Sequence, residues 1–326
     1  MKAVGKINKI TLLAITLATA LLGLTASSWA QGIPPVVWAK APFQYDKGEA
    51  PSVAVSGLVI VEVHEGGDGT LWYHTGRIQE NGSVTWAKAP FQYDKGYAPS
   101  IAINGNDILE VHQAGTAVGP LWYHTGSISA AGQVTWAKTA VQYDSGLAPS
   151  VAIAGQTAIE VHQGQIGIGP LWYHTVEIQT NGNVVWSRSA QYDSGVAPSV
   201  AVAGSTVIEV HQAGGVEGPL WCHTAEIQAN GSVSWASAPF QYDNGFAPSV
   251  SASGPTAIEI HQSGLGVSQL WFQIAALGAG GNVEFFGATQ YDNGESPRLA
   301  VAGPTVLEVH QEETGVGPLW YHTAAY

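Results

Sequence analysis

Short runs of alternating hydrophobic and polar residues fill this chain. In one of them, Leu109 and Val111 alternate with Glu110 and His112, the two-residue period of a β-strand that has one buried face. Turn-forming residues such as Asn104-Gly105 separate the runs, and no helical period competes with them. The runs of this stretch are residues 100–103, 108–113, 121–128 and 134–136. We therefore predict four antiparallel strands.

The same four-strand unit occurs six times. Its most recognisable element is Glu-x-His, which recurs every 48 to 50 residues. These pairs define copies one to six, and in order they are Glu62/His64, Glu110/His112, Glu160/His162, Glu209/His211, Glu259/His261 and Glu308/His310. Six repeats of four short strands are typical of a β-propeller.

The two ends of the chain predict how this propeller closes. The chain ends at Tyr326, after the third strand of copy six, and Val36-Val37-Trp38 matches the fourth strand Val84-Thr85-Trp86. An N-terminal strand that completes the last blade would close the ring and remove exposed sheet edges. The predicted fold is an all-β, six-bladed propeller of four-stranded antiparallel blades, with residues 31–326 as a single domain.

Residues 1–30 are predicted to be a secretory signal peptide. Three lysines precede an apolar run at residues 10–24, and Ser28-Trp29-Ala30 offers small residues for cleavage after Ala30. The alternative, a membrane anchor, fits less well because the run is shorter than the roughly 20 residues that a spanning helix needs. We therefore expect a secreted or periplasmic protein.

Charge and cysteine content narrow the range of partners. The signal peptide holds three of the 11 basic residues, which leaves eight against 24 acidic residues. We expect no nucleic acid partner and no membrane insertion, because basic patches and long apolar runs are absent from the remaining sequence. The single cysteine, Cys222, replaces Tyr or Phe of the other copies, which favours a buried substitute over a reactive thiol.

Tryptophan occupies two positions of the repeat. We expect at least one series to pack between blades, whereas the other could stack on a ligand. The first series is Trp38, Trp86, Trp136, Trp186 and Trp235, with Phe285 or Phe286 in copy five. The second series is Trp72, Trp122, Trp172, Trp221, Trp271 and Trp320.

Every histidine lies in the repeat, either in Glu-x-His or in Leu-Trp-x-His, where copy five has Gln273 instead. If Gln113 pairs with Leu121, Glu110 lies opposite His124, and each blade could hold a buried Glu–His hydrogen bond joined by an aspartate such as Asp144. The Glu-x-His series is therefore a candidate structural network. Ligand binding is a second interpretation. Metal binding is a third, but no third ligand is evident, so we expect neither metal nor other cofactor.

The six Asp-x-Gly segments are expected to be turns. No motif predicts catalysis, because Gly-x-Ser-x-Gly, His-Glu-x-x-His and the Ser-x-Asp-x-Gly-x-Thr-Trp turn of sialidases are absent. Three arginines could clamp a carboxylate, but Arg77, Arg188 and Arg298 lie at three different repeat positions. We therefore expect no enzyme and no catalytic residues.

The succession Pro-Ser-Val-Ala, Ile-Glu-Val-His, Leu-Trp-Tyr-His and Trp resembles the blade repeat of bacterial β-propeller lectins of the Photorhabdus type. Those lectins have seven blades, and they have Phe where this chain has the His of Glu-x-His. The resemblance implies a non-catalytic, multivalent carbohydrate-binding protein with near-equivalent sites. The alternatives are a propeller scaffold that docks a protein and, less favoured, a propeller glycoside hydrolase. The candidate ligand contacts are Trp72, Tyr73, His74, Trp122, Tyr123, His124, Trp172, Tyr173, His174, Trp221, His223, Trp320, Tyr321 and His322.

Overall fold

The computed structural model describes residues 35–39, 41–179 and 182–326, so the predicted signal peptide lies outside the described residues. Antiparallel β-strands make up nearly all of the regular structure in this part of the chain. The strands are β1 (Val37–Trp38), β2 (Phe43–Ser56), β3 (Val59–Gly66), β4 (Thr70–Ile78), β5 (Val84–Trp86), β6 (Phe91–Lys95), β7 (Tyr97–Asn104), β8 (Asp107–Gln113), β9 (Gly119–Ile128), β10 (Val134–Trp136), β11 (Val141–Ala154), β12 (Thr157–Gln163), β13 (Gly169–Ile178), β14 (Val184–Trp186), β15 (Ala190–Ala203), β16 (Thr206–Gln212), β17 (Gly218–Ile227), β18 (Val233–Trp235), β19 (Phe240–Ser253), β20 (Thr256–Gln262), β21 (Ser268–Leu277), β22 (Val283–Ala302), β23 (Thr305–Gln311) and β24 (Gly317–Ala325). A 3-10 helix spans Ala279–Gly281.

Copy two shows how each unit is built. Strand β7 pairs with β8, and β8 pairs with β9. The outer edge consists of β10 and the first half of β11, which both pair with β9. Glu110 lies opposite His124 and Gln113 opposite Leu121, which is the register that the loop length predicts. The four-stranded sheet formed in this way is called a blade below.

The Asp-x-Gly segments are strands and not the turns that the sequence predicted. Asp144, Ser145 and Gly146 pair with β9 after a register shift, and β11 then continues without a break into the next blade. Gly146 is required by close packing, since an added Cβ would lie 2.5 Å from His162 Cδ2 and 2.7 Å from Gln163 O. Each long strand therefore belongs to two neighbouring blades.

The two ends of the described chain meet in one blade. Val37 and Trp38 of β1 pair with Ala325 and Ala324 of β24. The first half of β2 pairs with the other end of β24. The N-terminal strand thus adds to the blade of copy six, as its match to the fourth-strand sequence predicted.

The hydrophobic core lies between neighbouring blades. Leu109 and Val111 of copy two pack with Val151 and Ala158 of copy three, and all four are buried. Equivalent apolar clusters join the other neighbours. Apolar side chains therefore hold the blades face to face. Within the described residues, no helix has both the length and the apolar character that crossing a membrane requires.

Candidate functional site

A polar network connects each blade to the preceding one. At the second blade, the Tyr93 hydroxyl donates to Glu110 Oε1 at 2.9 Å, and His112 Nδ1 lies 3.1 and 3.2 Å from the two Glu110 oxygens. His124 Nε2 lies 2.6 Å from Asp94 Oδ2 of the neighbouring strand β6. The predicted Glu110–His124 hydrogen bond is therefore not formed. Glu110 instead uses His112, two residues away on the same strand face, and His124 turns to Asp94.

The arrangement repeats around the chain. The aspartate–histidine distances are 2.8 Å for Asp46–His74, 2.8 Å for Asp144–His174, 2.9 Å for Asp193–His223 and 2.6 Å for Asp292–His322. In copy five, Gln273 Nε2 donates to Asp243 instead. Every glutamate of the Glu-x-His series is fully buried. Sequence reasoning found these residues but did not find the tyrosine partners.

The charges of copy one show how such burial is tolerated. Burial opposes ionisation of His64, but the adjacent Glu62 carboxylate outweighs it and raises the pKa of His64. Burial likewise opposes the charge on Asp46, yet the hydrogen bond from His74 lowers the pKa of Asp46. Burial and the charge of Glu62 raise the pKa of Tyr45, which stays neutral. Opposite charges thus compensate for desolvation in this network.

The predicted ligand residues separate into two groups. His74, His124, His174, His223 and His322 are only 3–4% exposed, and each lies within hydrogen-bonding distance of an aspartate. The partly buried members are Trp72, Tyr73, Trp122, Tyr123, Trp172, Tyr173, Trp221 and Trp320, whereas Tyr321 is buried. An approaching ligand would meet these tryptophans and tyrosines before the histidines. Their role as ligand contacts stays a prediction.

The fourth-strand tryptophans pack between blades, as predicted for one of the two series. Trp186 stacks on Tyr143 of the preceding blade, with ring centroids 4.0 Å apart. In copy five Phe285, not Phe286, takes this place against Tyr242 at 4.3 Å. The other stacked pairs are Trp86–Tyr45, Trp136–Tyr93, Trp235–Tyr192 and Trp38–Tyr291.

The innermost strands enclose a cavity of about 210 Å³. The segments that line it carry Ala-Pro-Ser-Val or its variants. The serines tie neighbouring strands together, since Ser52 Oγ accepts the Ile101 N–H and Ser100 Oγ accepts the Val151 N–H, both at 3.2 Å. Most of the lining is therefore neutral and occupied with its own hydrogen bonds.

Arg298 interrupts this neutral lining. It stands where the other copies have Ser52, Ser100, Ser150, Ser199 and Ser249. Its Nη1 donates to the Pro297 carbonyl oxygen at 2.9 Å. Burial lowers the pKa of Arg298 to about 10, and no carboxylate among the described residues opposes the shift. The guanidinium therefore remains charged at neutral pH and has donors left for an anion.

Glu65 is a second departure, found in copy one. The other copies have glutamine here, and Gln113 shows its role: Oε1 accepts the Ala148 N–H at 2.7 Å and Nε2 donates to Gly115 O at 2.6 Å. Glu65 accepts the Ala98 N–H in the same way, but it is an acid and only 6% exposed. Burial, reinforced by the charge of Glu49, raises the pKa of Glu65 to about 7.

These departures lie at the same end of the cavity. Glu49 is the cross-strand partner of Glu65 and directly precedes Ala50, which lines the cavity. Ala98, the partner of Glu65, also lines it, and Arg298 lies two residues beyond Ser296, the equivalent of Ala50. The backbone at this position has a positive φ in every copy, 47° at Ala50, which is strained for a residue with a side chain.

Comparison of the copies at the serine and glutamine positions would have found this cluster from sequence. The three arginines lie at different repeat positions, which excludes three equivalent contacts to one carboxylate. It leaves room for a single anion contact at Arg298. Glu65 directly follows the Glu62/His64 pair and replaces a glutamine of the other copies, so a pattern defined by Glu-x-His alone does not include it.

Comparison with known proteins identifies the fold. No protein-family model matches the chain, and no curated protein matches its sequence. Among solved structures, the Trypanosoma rangeli sialidase has a TM-score of 0.57 and 11% identity, covering 89% of this chain and 60% of the sialidase. The same sialidase in complex with sialic acid has a TM-score of 0.55 at 11% identity, covering 89% and 59%. A subtype N11 neuraminidase-like protein of A/flat-faced bat/Peru has a TM-score of 0.53 at 8% identity, covering 90% and 94%.

The chain thus has an all-β, antiparallel propeller fold, and it spans about 60% of the length of the sialidases it matches. Two predictions are corrected by this comparison. The chain was expected to be a non-catalytic, lectin-like protein and not an enzyme. The structures that share its fold are instead sialidases and a neuraminidase-like protein.

Proposed function

We propose that this protein is an exported, six-bladed propeller, closed by the pairing of β1 with β24, that hydrolyses glycosidic bonds in acidic glycans. The observation that carries this proposal is the cluster of departures from the repeat at one end of the central cavity. Arg298 supplies an anion contact on the cavity lining, where the other copies have serine, and Glu65 supplies a carboxyl group next to the lining, where the other copies have glutamine. Glu49, which pairs with Glu65, supplies a second carboxyl group, and copy six has an acid, Glu295, at the position of Glu49.

Arg298 supports recognition of an acidic sugar. A partly enclosed guanidinium that has no carboxylate partner among the described residues favours a bound carboxylate, and its planar group of donors suits that geometry. The structural neighbour in complex with sialic acid binds a sugar with a carboxylate. Acidic saccharides are therefore the substrate class we propose.

The carboxyl pair supports the hydrolytic part of the proposal. Glycoside hydrolases commonly use one protonated carboxylic acid to protonate the leaving oxygen and one carboxylate on the other side of the bond. Glu65, with its pKa raised to about 7, holds a proton at mildly acidic pH and is the candidate general acid. Glu49 is the candidate second carboxylate.

We propose that the blade repeat shares its origin with the blades of Photorhabdus-type lectins, which it resembles in sequence. It does not bring the lectin function with it. Export to the periplasm or the medium follows from the predicted signal peptide, and glycans would be met in either place.

The test uses substitutions that restore the repeat. The purified protein would be assayed on fluorogenic glycosides with and without a carboxylate, beside Glu65→Gln and Arg298→Ser, each carrying the residue of the other copies. We expect release from the acidic glycosides only, a loss of at least 100-fold in Glu65→Gln, and a raised KM in Arg298→Ser. Absence of release from every acidic glycoside by the folded wild-type protein would contradict the proposal.

A further inference from the structure

A mixed cluster of ligand atoms lies between the second and third blades, away from the cavity. Asp144 Oδ2, His162 Nε2 and His174 Nε2 all lie within 4.8 Å of one another. The two histidines are almost completely buried, whereas the Asp144 side chain is 28% exposed. The cluster is therefore enclosed by protein and has an opening to solvent on its carboxylate side.

The hydrogen bonds behind the rings fix which nitrogens face the cluster. His162 Nδ1 lies 3.1 and 3.2 Å from the two Glu160 oxygens, and His174 Nδ1 lies 2.8 Å from the Ser187 carbonyl oxygen. Both partners can only accept hydrogen bonds, so each Nδ1 carries the proton. In neutral rings, both Nε2 atoms then direct lone pairs towards the Asp144 carboxylate.

Three electron-pair donors that converge need a cation. A proton on His174 satisfies only one contact, since His174 Nε2 is 2.8 Å from Asp144 Oδ2 whereas His162 Nε2 is 3.9 Å away, beyond hydrogen-bonding distance. A metal ion accepts all three lone pairs. Two imidazoles and a carboxylate with one open position form a donor set that Zn²⁺ uses.

The groups behind the ligands are those expected of a metal site. Metal-bound histidines usually donate their other ring N–H to a carboxylate or a backbone carbonyl, which fixes the ring. Glu160 and Ser187 supply one of each, and the Tyr143 hydroxyl in turn donates to Glu160 at 2.8 Å. The supporting hydrogen bonds are thus already in place.

We infer that Asp144, His162 and His174 form a binding site for a divalent transition-metal ion of the zinc type at the interface of two blades. The site is independent of the proposed glycoside hydrolysis and would bind metal whether or not that activity exists. A bound ion would connect the two blades, because Asp144 belongs to the outer strand of one and both histidines to the other.

Other copies extend this inference and provide its control. Copies two and six have part of this arrangement: His112 Nε2 and His310 Nε2 lie 3.9 and 3.7 Å from their aspartates, but the Nδ1 atoms of His124 and His322 have no hydrogen-bond partner among the described residues. Copy five has lost the second ligand, because Gln273 occupies its place and donates to Asp243. The natural Gln273 shows that glutamine is compatible with the fold at this position.

The experiment measures zinc stoichiometry. Chelator-treated protein would be dialysed against ZnCl₂ and its metal content measured, with Co²⁺ as a second probe of coordination through its visible absorption. We expect at least one equivalent of Zn²⁺ in the wild-type protein. We expect His174→Gln to lose one equivalent, and we expect His261→Gln, made in the copy that lacks a triad, to lose none.

Folding of each variant is checked by far-UV circular dichroism, and Asp144→Asn gives a second variant if His174→Gln fails to fold. Failure of the wild-type protein to retain zinc, or an unchanged stoichiometry in folded His174→Gln and Asp144→Asn, would overturn the inference. Neither outcome bears on the glycoside assay.

Discussion

Replacing Glu65 with glutamine should make the protein more stable at alkaline pH and leave it nearly unchanged at acidic pH. Glutamine is the residue of the other copies, where it both accepts a backbone N–H and donates to the adjacent loop. Glu65 accepts the Ala98 N–H but can donate only when it is protonated. Ionisation of Glu65 therefore costs free energy in the folded state that a glutamine at this position would not incur.

The size of this effect follows from the pKa. Burial raises the pKa of Glu65 from 4.5 to about 7, so the folded state binds the proton more tightly than the unfolded state. The contribution of Glu65 to stability therefore falls as the pH rises from about 4.5 to about 7, and this contribution is constant outside that window. At 1.36 kcal/mol for each pKa unit, the loss is about 3 kcal/mol.

The assay is urea denaturation of the wild-type protein and Glu65→Gln at pH 4.5 and pH 8. The difference in free energy of unfolding between the two proteins should grow by about 3 kcal/mol between these values. A difference that does not change with pH would refute the raised pKa. A decrease in the advantage of Glu65→Gln at pH 8 would mean that ionised Glu65 has a stabilising partner.

Three further predictions concern the packing between blades. Gly146→Ala should lower the free energy of unfolding, measured by urea denaturation, by about 3 kcal/mol, because the new Cβ would overlap a histidine ring and a backbone oxygen. The control Gly115→Ala, which has open space around it, should change this free energy by less than about 0.5 kcal/mol. Trp186→Ala should cost about 4 kcal/mol, and Trp186→Phe should cost clearly less, since Phe285 makes the same stack in copy five. Cys222, which is buried with a strongly raised thiol pKa, should react with a thiol reagent only after unfolding; rapid labelling of the folded protein would contradict its position.

The strands and their register could be predicted because each depends on local pattern. The two-residue alternation fixes which face of β8 is buried, and the loop length between β8 and β9 fixes Glu110 opposite His124. The match between Val36-Val37-Trp38 and the fourth-strand sequence likewise predicted the pairing of β1 with β24. These features are visible in one copy or in the comparison of two segments.

The hydrogen-bond partners could not be predicted in this way, because they cross from one blade to the next. Asp94 is 30 residues from His124 in sequence, and nothing in the repeat alone says that it reaches that ring in preference to Glu110. The prediction of a turn at the Asp-x-Gly segment is wrong for a related reason. Its glycine resembles a turn residue, yet its role is to leave room for a histidine of the following copy.

In a chain of near-identical copies, shared residues and departing residues carry different information. Residues shared by all copies are accounted for by contacts that recur between blades, such as the stack of the repeated tyrosine on the fourth-strand aromatic ring of the next blade. A residue that departs from the repeat at a buried or partly buried position loses those contacts, as Glu65 loses the amide donor and Arg298 the serine hydroxyl. We expect a residue that loses stabilising contacts to be kept where it contributes to function. Glu65 and Arg298 lie at the same end of the cavity, so we infer that both contribute to one function. Glu65→Gln and Arg298→Ser, which restore the residues of the other copies, should therefore each raise stability and lower activity. A variant with higher stability and higher activity would show that the cavity is not the site of the activity.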